Sequence, residues 1–385
     1  MLEWGIRDLD WTVESPSPVS AHQGHRFFPL PRLATLLLAL VWMSGCDSAS
    51  PAAKDTAPAE GESAARTGAI QAVATVGMVA DLVRNVGGDH VEVTQIMGAG
   101  VDPHLYKATR DDVRTIMTGD VVFYSGLMLE GKMVDTLVKV ARTKPVVAVT
   151  EKLEPATLLE PEDFAGHFDP HVWMDVSAWS RCVEVVESEL AKFDPPHAAD
   201  YQRNAARYRE DLAKLHDYGL QSIASIPKEA RTLITSHDAF NYFGRAYSLD
   251  VQGIQGLSTE SEAGLQRVNE LVDEIVARKL PALFVESSVP RKSIDALVEG
   301  ARNRKHVIRV GGELYSDAMG EHGTYEGTYI GMLDHNITLV TRALGGTAPE
   351  AGLNGRLAHA SSAAPLPNNE AAPAATAGAG AGAAP

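Results

Sequence analysis

Two runs of alternating strand and helix, separated by one long amphipathic helical face, predict an α/β fold. The expected architecture is two similar lobes with mainly parallel sheets, joined by a single backbone helix. The length of 385 residues and an apolar fraction of 45% are enough for two such lobes plus unstructured ends.

The first run opens with "AVATV" (72–76) as a buried strand and "MVADLVRNVGG" as a helix closed by Gly87 and Gly88. "VEVTQIM" (91–97) is a strand and "RDDVRTIMTG" (110–119) a helix. "DVVFYSG" (120–126) is a strand, a helix follows over about 131–142, and "PVVAVT" (145–150) is a strand. Another helix starts near 172 and carries Cys182 on an amphipathic stretch. The joint begins at Asp194, a good N-cap, with Pro195 at the first helical position. Tyr201, Ala205, Tyr208, Leu212, Leu215, Gly219, Ile223 and Ile226 then recur at spacings of three and four, which define one helical face. At 1.5 Å per residue this helix is roughly 45 Å long, and it predicts a rather rigid binding protein. The second run is "TLITS" (232–236), helical "AFNYFGRAY", "DVQGIQG", a helix over about 262–279, "ALFVESS" (282–288), a helix near 290–303, "HVIRVGG" (306–312) and a last helix near 326–344.

The ends have a different composition. Arg26 and Arg32 precede an apolar run, Leu33 to Met43, too short to span a bilayer but of secretory length. Ser44, Gly45 and Cys46 follow, which resembles a bacterial lipobox with Cys46 as the lipidated residue. The predicted division is a signal segment at 1–46, a flexible tether at 47–68, a first lobe at 69–193, the long helix at 194–227, a second lobe at 228–345 and a disordered Ala/Gly/Pro-rich tail at 346–385. Lipidation of Cys46 leaves only Cys182, so no disulfide forms within the chain and Cys182 is expected as a buried thiol. The net charge of −16 argues against nucleic acid as a partner, since no basic stripe is present.

In open α/β sheets, ligands bind at the carboxyl ends of the strands. Four metal-capable side chains fall just after strands or at helix starts: His104 in "GVDPHLYKAT", His171 in "FDPHVWMD" before the helix near 172, His237 in "TSHDAF" and Asp317 in "GGELYSDAMG". They are 67, 66 and 80 residues apart, two from each lobe, and converge if the lobes face each other. Asp-Pro-His occurs twice. Proline stiffens the loop that aims each imidazole, and Asp102 or Asp169 is placed to accept the other ring N–H. Taken singly, a loop histidine is more often a surface or structural residue. On that basis His90, His197, His216, His306 and His335 are set aside, His167 is expected to be exposed, and Trp173 to pack in the core. Three imidazoles and a carboxylate make a closed N/O site for a borderline or fairly hard divalent cation. A zinc hydrolase is the competing class, with Glu286 as general base, but no His-Glu-x-x-His pair is present and four protein ligands leave no open position for water. A surface adhesin would call for a large exposed apolar patch, which the sequence does not show.

"DPHLYKAT", "DPHVWMD", "SHDAFNYF", "FVESSVP" and "GGELYSDAMG" closely resemble the metal-binding lipoproteins of manganese/zinc-type ABC importers, in the same order and over residues 69–345. The resemblance implies two α/β lobes on a backbone helix, with His104, His171, His237 and Asp317 as metal ligands and Asp102, Asp169 and Glu286 behind them. It also implies a monomer, lipid-anchored in the cell envelope, that delivers its ion to a membrane permease with a cytoplasmic ATPase. The zinc-dedicated branch carries a His-rich acidic loop between the first two motifs. Here that loop is "EKLEPATLLEPEDFAGHFDP", with His167 alone, which points to Mn²⁺ as cargo. Three histidines also favour Zn²⁺, and Fe²⁺ is compatible.

Overall fold

The computed structural model describes residues 68–357 except 162, 163 and 165. The predicted signal segment, Cys46, residues 47–67 of the tether and residues 358–385 lie outside the described residues.

The first lobe is a parallel sheet of order β2-β1-β3-β4, formed by β1 (Ile70–Ala74), β2 (Val91–Gln95), β3 (Val121–Tyr124) and β4 (Val146–Ala148). Helices α1 (Gly77–Gly87), α2 (Arg110–Thr118) and α3 (Val134–Val140) connect its strands, and α4 (Val176–Phe193) follows the lobe. Helix α1 ends where Gly88 takes φ 54°, as the glycine pair predicts. Thr109 and Asp112 form a reciprocal capping box on α2, and Asp175 caps α4 through the N–H groups of Ser177 and Ala178.

The second lobe holds β5 (Thr232–His237) paired with β6 (Asp250–Gln255), and β7 (Ala282–Glu286) paired with β8 (Arg309–Leu314), all parallel. β7 lies beside β5. Helices α6 (Asn241–Tyr247), α7 (Leu265–Arg278), α8 (Lys292–Asn303) and α9 (Tyr329–Ala343) complete it.

Between the lobes runs α5 (Ala198–Ala224), whose 27 residues span about 40 Å. Tyr201, Ala205, Tyr208, Leu212, Leu215, Gly219 and Ile223 are all buried, so the helical face read from the spacing is the one that packs. Tyr208 donates to buried Asp81 of α1 at 2.8 Å, and the Tyr218 hydroxyl meets that of Thr338 on α9 at 2.7 Å. The helix is thereby bonded to both lobes. One continuous apolar core runs from the first sheet through α1, α4 and α5 to α6 and α9, while a second fills the space between β5–β8 and α7 and α8. Cys182 is a buried free thiol in the first core.

Several expectations are corrected. The joint starts with a 3-10 turn, Pro195–His197, because Asp194 spends its carboxylate on Tyr201 and His197 rather than on backbone N–H groups. The helix expected at 131–142 likewise opens as a 3-10 turn over Gly131–Met133. The strand expected at 306–312 begins only at Arg309, because His306 is drawn off to Ala301 and Leu280. It carries a bulge at Gly311: Leu283 pairs Val310 but Phe284 pairs Gly312. A Cβ at Gly311 would sit 2.7 Å from the Phe284 ring, so glycine is required there. Finally, residues 346–357 are not a disordered tail. Buried Asp334 of α9 accepts the Leu353 N–H at 2.8 Å, and Ala348 and Leu357 are buried. Among the described residues, no helix is long and apolar enough to cross a membrane.

Candidate metal centre

The strands of each lobe are parallel, and each predicted residue sits at or past a strand end or at the start of a helical turn. His104 follows β2, His237 is the last residue of β5, Asp317 lies three residues past β8, and His171 precedes a 3-10 turn at Val172–Met174 that leads into α4. The structure brings all four together: one ligand atom from each lies within 4.8 Å of the others, and all four residues are buried.

The spacing between donors is informative. His104 Nε2 is 3.2 Å from His171 Nε2, His237 Nε2 is 3.2 Å from Asp317 Oδ2, His171 Nε2 is 3.4 Å from Asp317 Oδ1, and His104 Nε2 is 3.7 Å from Asp317 Oδ2. A tetrahedron with metal–ligand arms of about 2.0–2.1 Å has edges of about 3.3 Å. His237 Nε2 and both carboxylate oxygens of Asp317 are buried without a hydrogen-bond partner. Such groups are costly unless something satisfies them, and a cation at the centre satisfies all three at once.

Two of the three imidazoles are backed by carboxylates. Asp169 Oδ1 accepts both the backbone N–H of His171 at 2.9 Å and its ring Nδ1 at 2.8 Å. Glu286, the last residue of β7, takes the backbone N–H of His237 at 2.9 Å and its Nδ1 at 2.6 Å. Both bonds fix the tautomer that leaves Nε2 facing the centre. Asp102 departs from this pattern. Its Oδ1 accepts the backbone N–H of His104 at 2.9 Å, and its Oδ2 accepts the Thr259 hydroxyl at 2.5 Å, so it does not serve the ring.

The supports also include residues the sequence reading did not single out. Asn241 donates to Asp169 Oδ2, and the Tyr242 hydroxyl to the Asp169 carbonyl. Asn336 of α9 bonds both the N–H and the C=O of Tyr315, two residues before Asp317. The signal for Asn241 and Tyr242 was their place one helical turn after His237. Trp173 is a core residue as expected, but its Nε1 also donates to the Ser316 carbonyl at 2.9 Å. The histidines set aside stay outside the cluster: His90 stacks on His197, and His335 and His306 bond backbone carbonyls. His167 is exposed, as expected.

Burial pushes His104 down to about 4, so its ring is neutral at ordinary pH. Burial acts the same way on His237, but Glu286 and Asp317 outweigh it and hold its pKa well above the usual value. Burial opposes ionisation of Asp317, yet His237 and the other two rings keep it below the carboxylate range. The centre therefore sets an ionised carboxylate among the three imidazoles.

The chain is similar to the manganese-binding lipoprotein MntA of Bacillus subtilis (strain 168), at 47% identity over 312 residues, 81% of this chain and 98% of that protein. It is also similar to the zinc-binding protein TroA of Treponema pallidum, at 45% identity over 281 residues, 73% of this chain and 91% of that protein. The solved structure of the periplasmic zinc-binding protein TroA superposes with a TM-score of 0.70, covering 72% of this chain and 99% of that one. With residues 72–343 matching the family described as the periplasmic component A of the zinc-uptake complex, this chain belongs to that family.

Proposed function

We propose that the protein is the solute receptor of a divalent-metal ABC importer, binding Mn²⁺ as cargo, taking Zn²⁺ as well, and delivering the ion to a membrane permease driven by a cytoplasmic ATPase. The observation that carries this reading is the buried His104–His171–His237–Asp317 cluster with its three unsatisfied donor atoms. Four protein donors leave little room for a reactive water, so the site suits holding an ion rather than activating one. Its bonded, shared core suits a rigid carrier. The relatives named as manganese- or zinc-binding support the cargo class, and those named lipoproteins support a lipid anchor in the cell envelope, which the lipobox-like sequence places at Cys46.

Manganese is favoured on two grounds. The loop before His171 holds His167 alone rather than a histidine-rich run. Asp317 also turns both oxygens toward the imidazoles, and a two-oxygen carboxylate suits a harder ion that takes more than four donors. Three imidazoles favour zinc by intrinsic affinity. The test is metal analysis of protein purified from its native host, paired with Mn²⁺/Zn²⁺ competition in vitro. Manganese in the native protein, with tighter zinc binding in vitro, is expected; zinc alone in the native protein would overturn the manganese assignment.

A pH dependence follows from His237. In the metal-free protein the ring keeps its proton above the ordinary imidazole range, and its ion pairing stabilises the fold below that raised pKa and is lost as pH rises through it. Metal binding must expel this proton. Affinity is therefore expected to rise with pH through the imidazole range and on up to that raised pKa, about tenfold per unit for each proton released. Titration calorimetry in buffers of different ionisation enthalpy reads the proton count; equal affinity at about pH 5.5 and 8, with no buffer dependence, would refute this.

A further inference from the structure

We propose that the loop after β6, residues 256–264, latches the entrance of the metal centre, and that Thr259 is the positioning residue through which it holds His104. The inference rests on reading the cluster as a metal centre.

His104 differs from the other three candidate ligands in every respect that bears on exchange. It retains 5% exposure, against 0% for His171 and His237 and 1% for Asp317. It alone of the four lines a cavity of about 350 Å³. Asp169 and Glu286 clamp the other two rings through Nδ1, whereas Asp102 holds His104 through its backbone N–H. His104 is the corner of the site held least firmly from within its own lobe.

What holds it comes from the opposite lobe. The two oxygens of Asp102 are divided between the His104 N–H, at 2.9 Å, and the hydroxyl of Thr259, 157 residues further along the chain, at 2.5 Å. The turn that aims the imidazole is thus bonded to the loop after β6. The same loop supplies Leu257, Ser258 and Glu260 to the lining of the cavity, which Leu127, Met128 and Phe168 of the first lobe complete. Glu260 also reaches Lys132 at 2.7 Å. That ion pair is exposed, with side chains 36% and 47% accessible, so it contributes little by itself. The Thr259–Asp102 bond is charge-assisted and partly buried, and it is the stronger fastening. Breaking it frees the Asp102–Pro103–His104 turn and withdraws one donor from the ion, while Asp169 and Glu286 still hold the His171 and His237 rings. The latch therefore sets the rate of release more than the rate of capture.

The test is stopped-flow release of Mn²⁺ and of Zn²⁺ from loaded protein into excess chelator, with association rates measured separately. For Thr259→Val the dissociation rate is expected to rise about tenfold, within the range for loss of a group that orients a ligand, with the association rate changed less than about threefold. Thr259→Ser restores the hydroxyl and returns release to the wild-type rate. Glu260→Gln speeds release less than Thr259→Val does. Should Thr259→Val fail to fold, Thr259→Ala carries the same expectation. Release within about twofold of wild type for the hydroxyl-free variant, or no rescue by serine, overturns the latch while leaving the metal centre standing. Wild-type protein that binds neither ion refutes the metal centre, and the latch with it.

Discussion

Substitution of His171 by alanine is expected to abolish high-affinity binding of Mn²⁺ and Zn²⁺ while leaving the lobes folded. Structural zinc sites with four protein ligands bind with about 10–16 kcal/mol, so one ligand accounts for roughly 3 kcal/mol, or at least about two orders of magnitude in Kd. The loss is deeper than an average share, because His171 Nε2 sits between His104 Nε2 at 3.2 Å and Asp317 Oδ1 at 3.4 Å, at the middle of the donor set. The fold survives because the turn does not depend on the ring. Asp169 keeps the backbone N–H of residue 171 on Oδ1, Asn241 on Oδ2 and the Tyr242 hydroxyl on its carbonyl. Calorimetry gives the affinity, and circular dichroism the fold. Unchanged affinity for either ion would sink the assignment of His171 as a ligand.

The same geometry shows why this site was legible in the sequence and where legibility stopped. Parallel strands place their carboxyl ends on one edge, so position after a strand or at a helix start, with the doubled Asp-Pro-His, was enough to choose His104, His171, His237 and Asp317. The helical face of α5 was readable for a similar reason, since its spacing of three and four has no competing explanation. Pairwise partners across the lobes were not readable. Nothing local tells Asp102 from Asp169, since both precede Pro-His; what separates them is Thr259, brought up from the other lobe. Composition also misled at residues 346–357. Their Ala/Gly/Pro content suggests disorder, but a buried carboxylate on α9 organises the backbone by accepting its N–H. The bulge at Gly311 was equally hidden, because glycine in a strand says that something lies close without saying what.

Trp173→Ala is expected to be the most destabilising single change near the site. The side chain is fully buried, packs edge-on against the His171 ring at 5.2 Å and against Trp179 at 6.5 Å, and donates Nε1–H to the Ser316 carbonyl. Truncating such a residue leaves a cavity and costs about 3–5 kcal/mol, a large part of a typical total of about 5–15 kcal/mol. Denaturant unfolding should show that loss as a lower midpoint with an unchanged slope. Metal affinity should fall as well, because one side chain steadies donors from both lobes: its ring packs on His171 and its N–H holds the peptide before Asp317. Trp173→Phe separates the two roles. It keeps most of the volume and loses only the hydrogen bond to Ser316, so stability should drop far less while metal affinity still weakens. A Trp173→Ala protein within about 1 kcal/mol of wild type would show that the lobes do not depend on this contact, and Asp317 would then have to be held chiefly through Asn336 and its grip on Tyr315.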